Sequence, residues 1–168
     1  WKGKGESKNF HLRSQLTHTE LAVDRIPFAI SEKPASGHGS AHIAAPQQTV
    51  MEAGPFHLAL GKPGDVSVQG LLSHSGYSFA VRGDARVERL LQAARTVGLA
   101  VPQPAADGQA RLDLRIAGVW AGFPAPNAVG SVQLRSVEAQ VKGLNAPLQI
   151  AGANLLLSPD QVLVQHLD

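Results

Sequence analysis

The sequence contains no cysteine among its 168 residues. Disulfide bonds, thiolate metal ligands and a thiol nucleophile are therefore excluded, while the cellular compartment stays open. Aromatic residues are also few, with five Phe, two Trp and one Tyr. Only 17% of the residues are charged and 43% are hydrophobic, which is too apolar for a disordered tail. We therefore expect one folded domain, spanning residues 1–168, with an aliphatic core.

The basic residues lack any clustering. The formal net charge is +2, but Lys and Arg are scattered and no aromatic residues interleave with them, so nucleic-acid binding is not expected. No apolar run approaches the roughly 20 residues that a membrane-spanning helix needs, and no signal peptide is recognisable. Because the chain begins at Trp1 rather than Met, we expect a segment of a longer protein whose targeting signal lies elsewhere.

Seventeen Gly and eleven Pro predict many turns between short elements, which favours strands. The polar stretch from Trp1 to Ser14 alternates weakly and predicts an edge strand or a strand that faces water. Pro27 interrupts the strand-like run LAVDRIPFAI, and it predicts two short strands or a bulge because proline has no N–H for a central strand. From Phe56 to Gly83, three segments spaced about ten residues apart predict an antiparallel meander.

An amphipathic helix is predicted from about Asp84 to Val97. Asp84 is a favourable N-cap residue, Gly98 fits a C-cap, and Pro102 prevents continuation. Charged and polar residues occupy one face of the helix. Its apolar packing face consists of Val87, Leu90, Leu91 and Ala94.

Four strands are predicted after the helix. The first alternates strictly from Gln109 to Ile116, with charged residues on the other face. Three more follow within residues 131–141, 147–158 and 161–167, and a parity change predicts a bulge near Arg135 or Ser136. The predicted fold is α+β and mainly β, a curved antiparallel meander sheet with the helix packed on it. The apolar face of these strands comprises Leu112, Leu114, Ile116, Val132, Leu134, Leu148 and Ile150.

The residue patterns of catalysis and metal binding are missing. The sequence has no nucleophile elbow, no P-loop and no dinucleotide-binding motif. His38 and His42 are four residues apart, but glycines flank His38, so a rigid helical ligand pair is not expected. We therefore expect no enzymatic activity, no catalytic residue, no metal and no cofactor.

The segment from Gly70 to Asp168 resembles the C-terminal region of AsmA-like envelope proteins. The resemblance lies in a strand ending at Gly83, the helix with Leu90 and Leu91, the stretch SVQLRSVEAQVKGL and the stretch PLQIAGANLLLSPDQV. These motifs are built from common residues, and the first seventy residues are similar only in style. In the same loose way the pattern is similar to TamB-type bridge-like lipid carriers.

This resemblance implies a sheet that is not fully closed and curls into an apolar groove. It implies a parent protein anchored in the inner membrane through an N-terminal segment and projecting into the periplasm. The implied partners are phospholipid acyl chains and the remaining repeats of the parent protein. The implied role is non-enzymatic and lies in envelope lipid homeostasis or inter-membrane phospholipid transport.

Three alternatives stay open at this point. The apolar strand face could be an ordinary core beneath the helix rather than a lipid-facing wall. The segment could be a structural or partner-docking β domain in outer-membrane assembly that binds no lipid. A hydrolase or carbohydrate-binding module could lie in the first seventy residues.

Overall fold

The computed structural model describes residues 2–14, 18–34, 47–61, 64–97, 106–122, 124–141 and 143–167. Within these ranges the chain forms nine strands and one helix. In chain order they are β1 (Lys2–Ser14), β2 (Thr19–Pro34), β3 (Gln47–Leu58), β4 (Val66–Ser73), β5 (Gly76–Arg86), α1 (Val87–Thr96), β6 (Ala106–Val119), β7 (Asn127–Ala139), β8 (Leu148–Ser158) and β9 (Gln161–Leu167).

The strands lie in the sheet in the same order as in the chain, from β1 to β9. Every neighbouring pair is antiparallel. The sheet is curved and does not close, which confirms the predicted mainly-β meander with one helix. The first seventy residues supply β1, β2, β3 and the beginning of β4 of this same sheet, and β1 lies at the edge of the described sheet.

The helix α1 lies against one face of the sheet and contacts β1, β2, β5 and β6. Its 10 residues span about 15 Å, whereas β1 and β6 would be about 24 Å apart in a flat sheet with strands about 4.8 Å apart. The sheet therefore curls around the helix. We call the face that carries α1 the concave face and the opposite one the convex face.

The helix begins later than the sequence predicts, because β5 continues through Asp84 to Arg86. Asp84 is the register partner of Arg111 in β6, and its Oδ1 lies 3.2 Å from the arginine Nε. Arg86 instead occupies the N-cap position, with no side-chain capping hydrogen bond. Asp84 as the N-cap is therefore a wrong prediction, since a cross-strand cation holds this carboxylate in the sheet.

The C-terminal end of α1 lies at Thr96, whose hydroxyl donates a hydrogen bond to the Gln92 carbonyl oxygen at 2.9 Å. Val97 follows as the C-cap residue. The predicted stop signals Gly98 and Pro102 lie outside the described residues.

Pro27 lies inside one continuous strand, contrary to the prediction of two short strands. The alternation of this strand changes just before Pro27, since Val23 and Ile26 both reach the core, which agrees with the alternative prediction of a bulge. On one side it is the register partner of Glu6 in β1. On the other side, the described pairing of β2 with β3 begins only at Phe28. The missing N–H is tolerated because the strand has a single neighbour at Pro27.

The bulge predicted near Arg135 or Ser136 is confirmed. The register between β6 and β7 shifts there, so that Ser136 and Val137 lie opposite Gly108. Ser136 adopts a positive φ of 48°. The extra residue changes the alternation of the strand, which is why Leu134 and Val137 both reach the core on the concave face.

Ion pairs between neighbouring strands line the convex face. Arg82 Nε lies 2.9 Å from Asp113 Oδ1, and the two residues are register partners of β5 and β6. Asp84 and Arg111, one alternation further along, form the next pair with the signs exchanged. Because a one-residue slip would turn these side chains to the apolar face, the pairs help to fix the register.

Candidate functional site: the open end of the concave face

The exposure of the concave face increases along β6 with distance from the helix. Ala110 and Leu112 are each 2% exposed and Leu114 is 9% exposed, whereas Ile116 is only partly buried. A single strand thus passes from a closed core to an accessible wall. We call the half nearer α1 the covered end and the other half the open end.

The covered end is a conventional core under the helix. Val87 is buried at 6% exposure, and Leu90, Leu91 and Ala93 pack against the core. Ala94, predicted to be on the packing face, is partly buried. The same end of the sheet holds strand residues that are almost fully buried, namely Leu58, Val66, Ala85, Ala110 and Leu112.

The remaining residues of the predicted apolar strand face differ in exposure according to their position in the sheet. Val132 is buried, and Leu134 and Ile150 are partly buried against the core. Leu148, at the beginning of β8, is 44% exposed. Strand alternation places Leu148 on the concave face, as predicted, but Leu148 is exposed because it lies at the beginning of β8.

The open end is lined by large apolar side chains at the opposite ends of the same strands. Cross-strand partners here include Met51 with Leu72 and Phe79 with Ile116. Side chains on one face of neighbouring strands lie within contact distance of one another. The lining side chains, all partly buried, are Ile30, Met51, Leu72, Phe79, Ile116 and Leu157.

Aromatic rings in this region lie over glycines of the neighbouring strand. A Cβ built on Gly70 would lie 2.1 Å from Cδ1 of Phe79, and one built on Gly118 would lie 2.6 Å from Cζ of Tyr77. Because the glycines leave room, the rings lie flat along the strands instead of projecting across the groove. Glycine opposite an aromatic residue is the sequence signal for this arrangement, but it can be recognised only once the register is known.

The rim of the open end is formed by Tyr77 and Trp120. Their ring centroids are 4.8 Å apart, and Tyr77 also lies 5.9 Å from Phe79. The indole Nε1 of Trp120 donates a hydrogen bond to the Ser73 carbonyl oxygen at 2.8 Å. The indole N–H of Trp120 is thus satisfied by the backbone, and the Tyr77 ring with its hydroxyl lies over Gly118 of the neighbouring strand. The composition of the chain did not predict this cluster.

The titratable groups with shifted pKa values lie elsewhere. A hydrogen bond from Arg86 and a second from the Gly108 N–H lower the pKa of Asp107 below its ordinary value. Hydrogen bonds to His11 and Arg13 lower the pKa of Glu20 in the same direction. Both carboxylates are exposed and lie near the covered end, so neither contributes an acid or base to the open end.

The described parts of the chain bring no three His, Asp or Glu side chains together as a metal-binding group. The His38 and His42 pair lies outside these parts. In the same ranges, no helix has the length and apolar character required to cross a membrane.

The open end is thus an accessible apolar surface with an aromatic rim on a sheet whose other half is closed. Its arrangement suits the binding of an apolar chain better than the activation of a reacting group. Comparisons with protein-family models, with curated proteins and with solved structures each find no match for this chain.

Proposed function

We propose that this chain binds phospholipid acyl chains in the open end of its concave face, as a non-enzymatic segment of an AsmA-like envelope protein. In this proposal the segment lies on the periplasmic side of the cell envelope, and its parent protein supports lipid homeostasis or phospholipid transport between membranes. The observation that carries the proposal is the gradient of burial along β6, from 2% at Leu112 to partial exposure at Ile116.

The energetics favour an apolar lining for such a cargo. Each methylene exposed to water costs about 0.8 kcal/mol, so a 16-carbon acyl chain in water costs on the order of 13 kcal/mol. A row of partly exposed aliphatic and aromatic side chains removes part of that surface from water. The ion pairs of the convex face keep the outer side solvated and leave the concave side for the lipid.

A second candidate function is partner docking without lipid. It is favoured by exposed apolar residues that lie outside the open end, in the β7–β8 connection and at the beginning of β8. Val141 is 42%, Leu144 56% and Leu148 44% exposed. A protein partner would cover such a cluster as it covers any exposed apolar patch.

Native mass spectrometry of the chain, purified without detergent, tests the lipid proposal. The expected result is a population with the added mass of one or more phospholipids. The lipid is identified by releasing it in the gas phase and fragmenting it. Apoprotein alone, even after incubation with phospholipid vesicles, would support partner docking instead.

Two adjacent leucines in β4 provide a matched pair of variants. Leu72 lies on the concave face as the partner of Tyr77, and Leu71 lies on the convex face with 44% exposure. Leu72→Asp is expected to abolish the lipid adduct, because it places a carboxylate in the groove. Leu71→Asp is expected to retain it. Circular dichroism should show both variants folded, and equal lipid binding by both would contradict the assignment of the groove.

A further inference from the structure

The two ends of the central strands differ in charge. The segments 66–81 and 116–134 contain no Asp, Glu, Lys or Arg. They include the β4–β5 and β6–β7 connections, which are adjacent at the open end. Going along the strands away from these connections, the first ionic residues of β5 and β6 are Arg82 and Arg115. The ends of four consecutive strands, from β4 to β7, are therefore uncharged here.

This end of the sheet also exposes apolar groups. We call residues 73–77, 119–122 and 124–126 the tip. Val119 lies on the convex face as the partner of Gly76 and is 50% exposed. The other exposed residues of the β6–β7 connection within the tip are Ala121, Gly122, Pro124 and Ala125. An uncharged and largely apolar protrusion of this kind is typical of a surface that contacts a partner or a membrane.

Polar groups of the tip are paired with one another. The Gly76 N–H donates a hydrogen bond to Ser73 Oγ at 3.3 Å, and Ser73 Oγ lies 3.0 Å from Ser75 Oγ. The backbone N–H of Trp120 donates to the Ser75 carbonyl oxygen at 3.3 Å, beside the bond from its indole to Ser73. These bonds join the two connections to each other. Polar groups that are already paired cost less to remove from water.

A bilayer surface fits these properties better than a protein partner. Trp and Tyr are the side chains enriched at membrane–water interfaces, and the tip carries Tyr77 and Trp120. A protein partner is commonly oriented by complementary charges, which the tip cannot offer, whereas insertion into a bilayer requires none. Charged residues return on the strands to either side, with Glu32 on β2 and Asp160 after β8, so the matching surface is limited to β4–β7.

We propose that the tip docks on the surface of a phospholipid bilayer, with β4–β7 standing on the membrane and the open end facing it. Interfacial segments reach about 5–10 Å into the boundary between headgroups and acyl chains. Leu71 and its partner Glu52 lie two residues further from the membrane than Val119, about 7 Å along the strand, and stay outside this layer. An acyl chain can then enter the open end directly from the bilayer. This entry rests on the proposed function, whereas the docking does not.

Flotation with phosphatidylcholine vesicles on a density gradient measures the docking. The chain is expected to rise with the vesicles at low salt and equally at about 1 M NaCl, where charges more than about 3 Å apart are screened. Binding to anionic vesicles alone, lost at high salt, would assign the contact to cations such as the lysines of β1 and overturn the proposal. A chain that never floats would overturn it too.

A carboxylate at the tip locates the contact. Val119→Asp must lose water around a charge on docking, and vesicle partitioning is expected to fall roughly tenfold or more. Leu144→Asp is the matched control, because Leu144 is 56% exposed in the β7–β8 connection at the opposite end. It should float like wild type, and so should Leu71→Asp. Circular dichroism checks that all three fold. Wild-type flotation of Val119→Asp, or its loss in either control, would overturn the proposal.

The docking and the proposed lipid binding can fail separately. Val119 lies on the convex face, outside the groove, so Val119→Asp should keep the phospholipid adduct in native mass spectrometry while it loses flotation. A wild-type chain that floats but carries no lipid after the vesicles are removed would contradict the proposed function and leave the docking intact. A wild-type chain that carries lipid but does not float would overturn the docking alone.

Discussion

The two ends of the concave face are made from the same strands, yet they differ in what lies above them. At the covered end, where α1 contacts β6, Ala110 and Leu112 are 2% exposed. At the open end, Ile116 of the same strand is only partly buried. One alternating pattern thus forms a closed core at one end of the strand and a partly exposed wall at the other.

The comparison also explains why a sheet with an open apolar face can be stable. The covered end, together with the buried residues of β3, β4 and β7, supplies a contiguous core. The open end can then remain accessible because folding does not depend on covering it. Binding surfaces are commonly carried by the less stable parts of a structure in this way.

The largest expected effect is the loss of stability when a charge is introduced at the covered end rather than at the open end. Leu112→Asp is expected to reduce the free energy of unfolding by about 3–5 kcal/mol, because it leaves an unpaired carboxylate under the helix. Ile116→Asp, two alternations further along β6, should cost only about 1 kcal/mol because water can reach it. Urea denaturation of the two variants measures the difference, and equal losses would mean that the open end is part of the closed core.

An intermediate effect is expected at the glycine beneath Phe79. Gly70→Ala places a methyl group 2.1 Å from the Phe79 ring, so the ring must move toward the groove, at a cost of about 1–3 kcal/mol. Gly64→Ala is the matched control, since its Cβ would meet Asp84 at an ordinary 3.6 Å. Thermal unfolding checks both variants. Wild-type stability in Gly70→Ala would show that the ring is not fixed over the glycine.

The smallest expected effect concerns the convex side of the covered end. Arg86, the residue before α1, hydrogen-bonds Asp107 at 2.6 Å and lowers its pKa. A carboxyl group whose pKa is lowered in the folded state stabilises the fold at every pH above its ordinary pKa. This contribution is lost as the pH falls through the lowered pKa. Wild type should therefore lose slightly more stability than Asp107→Asn when the pH falls from neutral to below 3.8, the ordinary aspartate value.

Urea midpoints at several pH values measure this difference, and Asp24→Asn controls for the loss of an exposed carboxylate. Parallel pH curves for wild type and Asp107→Asn would show that the ion pair does not stabilise the beginning of the helix.

Local patterns in the sequence predicted the strands, the meander and the existence of the helix. The alternation at Leu112 and Leu114 and the helical spacing at Val87, Leu90 and Leu91 are fixed by burial of one face, which a single segment records. The bulge at Ser136 could likewise be predicted locally, because the apolar positions change from even to odd numbers between Leu134 and Val137. On β6 the predicted face includes the buried Leu112 and the partly buried Ile116.

Features that depend on pairing between distant strands could not be predicted in this way. Asp84 looks like an N-cap until Arg111 is known to lie opposite it, and Pro27 looks like a break until the extent of β3 is known. The exposure of Leu148 and the rings over Gly70 and Gly118 likewise depend on register. Each of these features depends on two paired strands, whereas a sequence pattern describes a single strand.

Quenching of Trp120 fluorescence tests the central claim most directly. Replacing Trp1, the other of the two tryptophans, by Phe leaves Trp120 as a reporter on the rim of the open end. Phospholipid brominated on its acyl chains should quench this fluorescence in the Trp1→Phe chain and when Leu71→Asp is added to it, but not when Leu72→Asp is added. Unquenched Trp120 in a chain that carries lipid would place the acyl chains elsewhere and contradict the account.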